Sequence, residues 1–277
     1  MSDEKQKPEE HEDVGTYQKL ADRVAELLEG RVFVAHNVGS LIGLKSVLTG
    51  LLETQCVMPM MGSPEETVRG LAKNGIVHAY IPPLHLKRLV EAAETIGVDT
   101  PDLRRINVGG GSISGQFAER CERTFGCEVY TDYGSTETDT IACYRASRTQ
   151  NTPGLVGPIW DLFNFRFQSL TGEVAAPDTG GELFLQVPEM LRTQNYPDNT
   201  PLFDSQGWIS TGDIGRLTAE GQLVLSGRKS ELINVGGNKI APSTVEQAAS
   251  SFPGLKEVAA FRVPTDSGID AIGLGVV

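Results

Sequence analysis

Apolar residues follow two alternating periods along the first half of the chain, one helical and one extended. Five of them recur on one helical face that ends at Gly30: Tyr17, Leu20, Val24, Leu27 and Leu28. Short apolar runs then predict strands over 31–35, 54–58, 76–81, 104–108 and 127–133. Helical patterns separate the later strands, over 65–74, 84–96 and 115–125. Strands that alternate with helices are typical of an α/β fold with a mostly parallel, helix-covered sheet.

The pattern changes near Pro153, where the apolar runs become short and are punctuated by Gly and Pro. This change favours a β-rich subdomain up to Ser226, followed by a small, partial α+β C-terminal domain. The second of these is predicted to contain a hairpin over 232–240, a helix from Ser243, and strands near 257–263 and 271–277. The predicted organisation is therefore a tail over 1–13, an α/β part over 14–150, a β-rich part over 151–226, and a hinge with a partial domain over 227–277.

Two predicted helices carry a signal for their first turn. Ser63 precedes Pro64 and is followed three positions later by Glu66, which predicts a capping box. Ser243 and Glu246 have the same spacing and predict a second one.

Charge and composition narrow the function classes. The 277 residues include 24 Lys and Arg against 36 Asp and Glu, a net charge of −12, and six acidic residues fall in the first thirteen positions, which predicts a disordered tail. This balance disfavours nucleic-acid binding and docking on anionic lipid, because both depend on clustered Lys and Arg. No apolar run approaches about 18 residues and no signal core precedes the first helix, so we expect a cytoplasmic protein without a membrane span.

Cysteine and histidine do not predict a metal site. The four cysteines form no C-x-x-C pair, and the four histidines show no ligand spacing.

The first segment with candidate chemistry is Gly109, Gly110 and Gly111, between a predicted strand and a predicted helix. Consecutive glycines let a backbone approach a ligand closely. Ser114 stands where a dinucleotide fingerprint would have its third Gly, and no Gly-Lys-Ser/Thr follows, so neither a Rossmann fingerprint nor a P-loop is indicated. Taken alone, the segment is better explained by a tight strand-to-helix turn.

The second segment runs from Asp132 to Glu137, at the end of the next predicted strand. Its aromatic ring, hydroxyls and carboxylates are suited to stacking on a base, bonding phosphate and holding Mg²⁺. A polar loop with a core tyrosine is the alternative.

The third segment comprises 207–215 and 227–240. An Asp in a Gly-flanked turn can accept both ribose hydroxyls, and Arg228, fifteen residues after Asp213, can neutralise a phosphate. A turn-capping Asp and a surface Arg are the alternatives.

Together the segments resemble the adenylate-forming (AMP-binding) superfamily, which includes acyl- and aryl-CoA synthetases, peptide-synthetase adenylation domains and firefly-type luciferases. GGG, YGSTE, GWISTGDIG and GRKSELINVGGNKIAP match four successive signatures, and the resemblance extends from about Val32 to Val277.

The resemblance implies a nucleotide site in the first half of the chain. Gly109, Gly110 and Gly111 would line the acyl and adenine pockets. Tyr133 would pack on adenine, and Asp132 would lie near the exocyclic amine.

The remaining residues of the second motif are implied to face the phosphates. Gly134 and Ser135 belong to this nucleotide-binding motif, Thr136 would bond the α-phosphate, and Glu137 would hold Mg²⁺. Thr136 and Glu137 are therefore the implied catalytic residues.

In the second half, the resemblance implies that Asp213 binds the ribose and Arg228 lies beside it. Gly236, Gly237 and Lys239 would border the pantetheine channel after a domain rotation.

The reaction that the resemblance implies is ATP-dependent activation of a carboxylic acid to an acyl-adenylate, followed by transfer to a thiol of CoA or a phosphopantetheine carrier protein. The implied cofactors are ATP or AMP and Mg²⁺. A small-molecule acid, a carrier protein and a complementary chain are the implied partners.

This sequence departs from the family in several places. The hinge position, usually Asp or Lys, is Ser230. His36 and Asn37 stand on the acid side where amino-acid-activating members carry Asp, so we expect a fatty or aromatic acid.

Two further signatures of the family have no counterpart. The phosphate loop and the adenylation Lys are missing, so we expect a chain truncated at both ends that binds AMP weakly and turns over little. A non-catalytic or split fragment that acts as a binding or scaffold subunit is the alternative.

Overall fold

The computed structural model describes residues 31–36, 44, 47–48, 57–149, 152–189, 192, 200–250, 252, 254–255, 258–266 and 269–277. The helix predicted before Gly30, the acidic tail and Asn37 lie outside these residues. Contacts divide the chain into two compact units, 1–151 and 152–277.

The first unit contains a six-stranded sheet in the order β2-β1-β3-β4-β5-β6. Its strands are β1 (Arg31–Val34), β2 (Val57–Pro59), β3 (Ile76–Tyr80), β4 (Arg105–Val108), β5 (Glu128–Ser135) and β6 (Asp139–Arg145). The first five are parallel, and β6 is antiparallel to β5. The helices are α1 (Pro64–Lys73), α2 (Pro83–Ile96) and α3 (Gly115–Phe125), with a 3₁₀ turn over Ala146–Thr149. The predicted α/β fold is confirmed.

The two faces of this sheet differ in chemistry because successive side chains of a strand point to opposite sides. Phe33, Ile106 and Val129 belong to one buried core with residues of all three helices. On the other face Val32 and Val34 pack with Tyr80. Farther along that second face the side chains become polar.

The second unit contains an antiparallel six-stranded sheet in the order β7-β12-β11-β10-β8-β9. Its strands are β7 (Leu155–Gly157), β8 (Asn164–Gln168), β9 (Val174–Ala175), β10 (Gly181–Gln186), β11 (Trp208–Leu217) and β12 (Leu223–Arg228). Along β10, Leu183 and Leu185 are fully buried, and their neighbours Glu182 and Phe184 face the other side. The predicted β-rich part is confirmed.

The rest of the second unit consists of short elements. After a 3₁₀ turn over Lys229–Glu231 these are β13 (Ile233–Val235), β14 (Asn238–Ile240), α4 (Pro242–Ser250), β15 (Val258–Val263) and β16 (Ala271–Val276). β13 pairs with β14 and β15 with β16, as the predicted hairpin and strands require. None of the described helices is long and apolar enough to cross a membrane.

One of the two predicted capping boxes forms. Ser63 Oγ accepts from Glu66 N at 3.1 Å, and Glu66 Oε2 accepts from Ser63 N at 3.1 Å. The prediction for Ser243 is wrong, because α4 begins at Pro242 and places Ser243 inside the first turn. Its hydroxyl donates to the Ser226 carbonyl instead. Glu246 Oε1 accepts from Ala260 N on β15 at 2.9 Å.

Candidate functional site

The glycine segment forms the turn between β4 and α3. Gly109 is buried, whereas Gly110 and Gly111 are exposed. Gly110 has a φ of +77°, and the nearest atom to a Cβ built on it is His36 Cε1 at 4.0 Å. Ser114 caps α3, since its Oγ accepts from Phe117 N at 3.2 Å, which explains a serine at this position. Gly110 thus leaves open backbone surface beside His36, whereas a Cβ on Gly111 would lie 3.1 Å from Pro83 Cγ.

Residues 132–135 of the second motif lie within strand β5. The predicted strand over 127–133 forms and continues to Ser135, because β6, which the sequence did not predict, pairs with its end. A Cβ on Gly134 would lie 1.9 Å from the carbonyl oxygen of Asp139, so only glycine allows the two strands to approach here.

The turn between β5 and β6 exposes some of the predicted phosphate-side residues and uses others internally. Ser135 Oγ accepts from Glu137 N at 3.2 Å and lies 3.2 Å from Thr138 Oγ1, so this hydroxyl holds the turn. Thr138 is buried, Thr136 is exposed and Glu137 is half-buried. Thr136 and Glu137 are therefore the side chains presented at the tip.

The tip supplies only some of the oxygen ligands that Mg²⁺ requires. No group of three or more His, Cys, Asp or Glu suited to a metal ion occurs among the described residues. Mg²⁺ is commonly bound through one or two carboxylates together with phosphate oxygens and water. The carboxylate of Glu137 fits that mode, with a nucleotide phosphate supplying further ligands.

The two motifs of the first unit lie at one edge of the sheet. Strands β4 and β5 are parallel neighbours, with Val108 opposite Thr131. Gly109–Gly111 follow the carboxyl end of β4, and Tyr133–Glu137 end β5 and begin its turn. This is the edge at which open α/β sheets bind ligands.

A polar network that the sequence reasoning missed lies next to these motifs. Asn107 is 2% exposed, and its Nδ2 donates to both carboxylate oxygens of Asp132, at 2.8 and 3.0 Å. Arg105 Nε donates to Asn107 Oδ1 at 2.8 Å, and the guanidinium lies 3.7 Å above the Tyr130 ring. The available signal was a pair of polar residues, Arg105 and Asn107, inside an otherwise apolar strand.

The electrostatics of this region favour neutral hydroxyl and thiol groups around one carboxylate. Burial raises the pKa of Tyr80 above its usual range, and the charge of Asp132 adds to the effect. Burial, followed by Asp132, also raises the pKa of the Cys143 thiol. Both groups remain protonated at neutral pH.

His36 lies at the end of β1, on the acid side implied by the resemblance. Burial lowers its pKa, and the nearby His85 of α2 lowers it further. Its Nε2 is buried and has no hydrogen-bond partner among the described residues. The neutral imidazole is therefore the favoured form.

In the second unit, Asp213 lies in the middle of β11, not in a turn as predicted. Residues 208–217 form one strand, whose pairing with β12 has an irregularity between Ile214 and Gly215. Asp213 stands opposite Arg228 of β12, and Arg228 Nε lies 2.8 Å from Asp213 Oδ1. The aspartate side chain is 10% exposed and the arginine side chain 55% exposed. The carboxylate is therefore nearly buried, whereas the guanidinium reaches solvent.

A second ion pair lies directly beside the first and was not predicted. Glu182 Oε2 lies 2.5 Å from Lys229 Nζ, and Ser210 Oγ donates to Glu182 Oε1 at 2.5 Å. Glu182 is 6% exposed. Lys229 thereby ties the start of the 3₁₀ turn to β10, immediately before the predicted hinge residue Ser230, which is exposed.

The residues that the resemblance places beside the pantetheine channel lie in the exposed β13–β14 hairpin. Gly236 and Gly237 have φ values of +60° and +93°, which is typical of a two-residue hairpin turn. Gly237 N donates to Asn234 Oδ1 at 3.0 Å, and Lys239 is exposed on β14. Asp270 joins this hairpin to the next, because it accepts from Asn234 N at 3.3 Å and from Arg262 Nε at 2.8 Å.

Comparison with known proteins gives consistent matches. A family model described as AMP-binding enzyme matches residues 15–193. The chain is 29% identical over 208 residues to an oxalate–CoA ligase of Arabidopsis thaliana, covering 74% of this chain and 40% of that protein. It is 29% identical over 218 residues to the medium/long-chain-fatty-acid–acyl-carrier-protein ligase FadD10 of Mycobacterium tuberculosis, covering 75% and 40%.

A solved structure supports the fold. The amide bond synthetase McbA from Marinactinospora thermotolerans matches with a TM-score of 0.78 at 20% identity, over 94% of this chain and 55% of that one. The chain thus spans 40% of the length of the two curated relatives described above.

Proposed function

The chain belongs to the AMP-binding enzyme family, and on that premise we propose that it takes part in the ATP-dependent activation of a carboxylic acid. A carboxylate oxygen attacks the α-phosphorus of ATP, the bond from that phosphorus to the bridging oxygen breaks, and pyrophosphate leaves. A thiol sulfur then attacks the acyl carbon, AMP leaves, and the thiol gives up its proton.

One observation carries this proposal beyond family membership. The glycine turn after β4 and the Tyr133–Glu137 segment of β5 lie at the same edge of a parallel sheet, on adjacent strands. An exposed glycine backbone, an aromatic ring and an exposed hydroxyl are the groups that a nucleoside monophosphate needs for close approach, stacking and phosphate bonding.

In the first unit we assign Tyr133 to the adenine ring and Gly109–Gly111 to the backbone surface beneath the nucleotide. Thr136, at the exposed tip, donates its hydroxyl to an α-phosphate oxygen. Gly134 allows β6 to approach β5 closely, which restricts the position of the tip. Ser135 Oγ accepts a hydrogen bond from Glu137 N and so stabilises the turn. The contribution to rate is positioning of the acid and the α-phosphate.

Glu137 is the residue proposed to hold Mg²⁺. The ion, when bound with the nucleotide, neutralises phosphate charge that would otherwise repel the incoming carboxylate. Glu137 would hold that ion through its carboxylate.

In the second unit, Asp213 is proposed to accept the ribose hydroxyls and Arg228 to hold it in place. The 2.8 Å ion pair with Arg228 orients the Asp213 carboxylate. Ser230 is proposed as the hinge, and Gly236, Gly237 and Lys239 as the loop beside the pantetheine arm.

The acceptor thiol is proposed to belong to CoA or to a carrier protein, and the location to be the cytoplasm. One of the similar proteins is a CoA ligase and another is an acyl-carrier-protein ligase. Each proposed acceptor is therefore supported by one similar protein.

Exchange of labelled pyrophosphate into ATP tests the activation step. We expect slow exchange that requires an added carboxylic acid and is lost in Asp213→Ala. Exchange no faster than in Asp213→Ala across aromatic, hydroxylated and fatty acids contradicts the proposal and favours a binding or scaffold role.

A further inference from the structure

The carboxylate of Glu182 contacts both of the segments that carry Asp213 and Arg228. Glu182 lies on β10 and is 6% exposed. Its Oε1 accepts from Ser210 Oγ of β11 at 2.5 Å, and its Oε2 lies 2.5 Å from Lys229 Nζ. Ser210 precedes Asp213 by three residues on β11. Lys229 directly follows Arg228, the last residue of β12. One buried acid is therefore connected to both members of the pair assigned to the ribose.

A bulge in β11 determines where Asp213 lies. The pairing of β10 with β11 is irregular here, so that the three residues 211–213 of β11 stand opposite the single residue Leu183 of β10. Within the bulge Gly212 has a φ of +71°, a backbone conformation that glycine adopts readily. Bulges change the direction of side chains and are frequent next to active sites. The direction of the Asp213 side chain therefore depends on how this bulge is held.

Two hydroxyl groups hold the bulge. Thr211 Oγ1 donates to a backbone carbonyl of β10 at 2.9 Å and accepts from Asp213 N at 3.1 Å. Ser210 Oγ accepts from Gly212 N at 3.2 Å and donates to Glu182. The Thr211 hydroxyl is thus anchored on the backbone of β10, and the Ser210 hydroxyl on a side chain. Glu182 is the side chain of β10 that holds the bulge.

The second oxygen of the same carboxylate holds the segment that begins with Arg228. Arg228 Nε lies 2.8 Å from Asp213 Oδ1, and Arg228 Nη1 donates to the Thr211 carbonyl at 3.5 Å. The next residue, Lys229, begins the 3₁₀ turn, and its ammonium group is paired with Glu182. The arginine therefore lies between the bulge and the lysine, and Glu182 restrains both of them.

From these contacts we infer that Glu182 is a positioning residue for recognition of the ribose. One of its oxygens fixes the direction of Asp213 through Ser210 and the bulge, and the other fixes Arg228 through Lys229. The inference rests on the proposed function, in which Asp213 accepts the ribose hydroxyls. Glu182 acts through these residues and not by contact with the nucleotide.

The test compares AMP with dideoxy-AMP, the analogue that lacks both ribose hydroxyls. Each nucleotide is titrated into the full chain by calorimetry, and the ratio of the two dissociation constants measures recognition of the hydroxyls. We expect the unaltered chain to bind AMP about tenfold or more tightly than dideoxy-AMP, the effect of about one hydrogen bond to a charged group. Asp213→Ala should bind the two nucleotides equally.

Glu182→Gln removes one of the two acceptor oxygens. A carboxamide has one acceptor oxygen where the carboxylate has two, so Ser210 and Lys229 cannot both keep their partner. We expect AMP affinity to fall about fivefold or more and dideoxy-AMP affinity to stay the same, because the lost contacts position the group that binds the hydroxyls. General damage to the fold would weaken both nucleotides equally and leave their ratio unchanged.

Glu122→Gln is the matched control. Glu122 Oε1 accepts from Arg145 Nε at 2.9 Å and from Ser147 Oγ at 3.1 Å, so this glutamate also binds a cation and a serine, but in the first unit. Its replacement should leave the ratio unchanged. Ser210→Ala should lower the ratio, whereas Ser210→Thr keeps a hydroxyl at this exposed strand position and should retain it.

Hydrogen exchange without nucleotide measures the restraint on the bulge separately. The amides of Gly212 and Asp213 should exchange faster in Glu182→Gln than in the unaltered chain or in Glu122→Gln. Unchanged exchange of these amides, or an unchanged ratio in Glu182→Gln and Ser210→Ala, overturns the inference and leaves the proposed function intact. Failure of the unaltered chain to bind AMP more tightly than dideoxy-AMP contradicts the proposed role of Asp213, and with it the role of Glu182.

Discussion

Asp213 and Arg228 face each other across β11 and β12, and the guanidinium Nε of Arg228 lies 2.8 Å from Oδ1 of Asp213. Fifteen residues separate them in the chain, but the antiparallel register makes them direct neighbours. The aspartate is nearly buried and the arginine is half exposed. The arginine can therefore orient the acid and still meet a ligand.

Replacing Arg228 by glutamine should weaken AMP binding more than it weakens the fold. Arg228→Gln removes the charge that orients Asp213, and loss of one charge-assisted hydrogen bond corresponds to about tenfold in affinity. The free energy of unfolding should fall by about 1 kcal/mol or less, because the pair is half exposed. Titration calorimetry and urea unfolding measure the two effects. Arg216→Gln, an exposed arginine on β11, is the control, and equal AMP affinity in the two variants would count against a role for Arg228.

Gly134 should tolerate no larger residue. In Gly134→Ala the new Cβ would meet the Asp139 backbone at 1.9 Å, and the paired strand cannot move away without losing its hydrogen bonds. We expect a loss of about 3 kcal/mol or more in the free energy of unfolding, at the upper end for overpacking. Gly97→Ala provides the comparison, since Gly97 has a φ of +61° but open space around its Cβ position, and should cost about 1 kcal/mol. Equal losses would show that the β5–β6 approach is looser than described.

The Lys229–Glu182 pair should stabilise the second unit. Lys229→Met keeps the aliphatic stem but leaves the nearly buried Glu182 with Ser210 as its remaining partner in the network. Because the lysine itself is half exposed, we expect a loss of about 1–2 kcal/mol, below the range for fully buried pairs. Urea unfolding measures this loss. Lys239→Met is the control, because Lys239 is an exposed lysine of the same unit. A loss no larger than in that control would mean that the pair does not anchor the segment before Ser230.

The stability of the first unit should depend on pH through His36. Its pKa in the folded chain is lowered by burial and then by His85, from an ordinary value of 6.5. The unfolded chain therefore binds a proton more readily, and the stability that the neutral imidazole contributes is present above about pH 6.5 and declines as the pH falls through that value. His36→Asn should show less of this decline in urea unfolding between pH 7.5 and 5.5. Parallel curves for the two proteins would contradict the assignment.

Local sequence patterns predicted much of the fold. The remaining features depend on contacts between elements that are distant in the sequence. The capping box at Ser63 and the helices that follow β2, β3 and β4 depend on residues close in sequence, and they form as predicted. The box at Ser243 fails because its two side chains bond to β12 and β15, partners that the local pattern cannot reveal. Strand β6 was missed because it forms by pairing with β5, which also extends the strand predicted over 127–133 to Ser135.

In the candidate site, too, local motifs were visible in the sequence and contacts between strands were not. Sequence motifs identified Gly109–Gly111, Tyr133 and Asp213 as residues worth attention, and the structure places the first two at one sheet edge. Asn107 and Glu182 were missed because their significance lies in contacts between strands, to Asp132 and to Lys229. A polar side chain in an apolar strand is visible in the sequence, but its partner is not.

The central claim is that the chain binds an adenine nucleotide, and titration calorimetry with AMP tests it most directly. We predict saturable binding of AMP that is lost in Asp213→Ala and weakened in Tyr133→Ala. Glu128→Gln should bind AMP as the unaltered chain does. Absence of AMP binding, or binding that Asp213→Ala and Tyr133→Ala leave unchanged, would contradict the account.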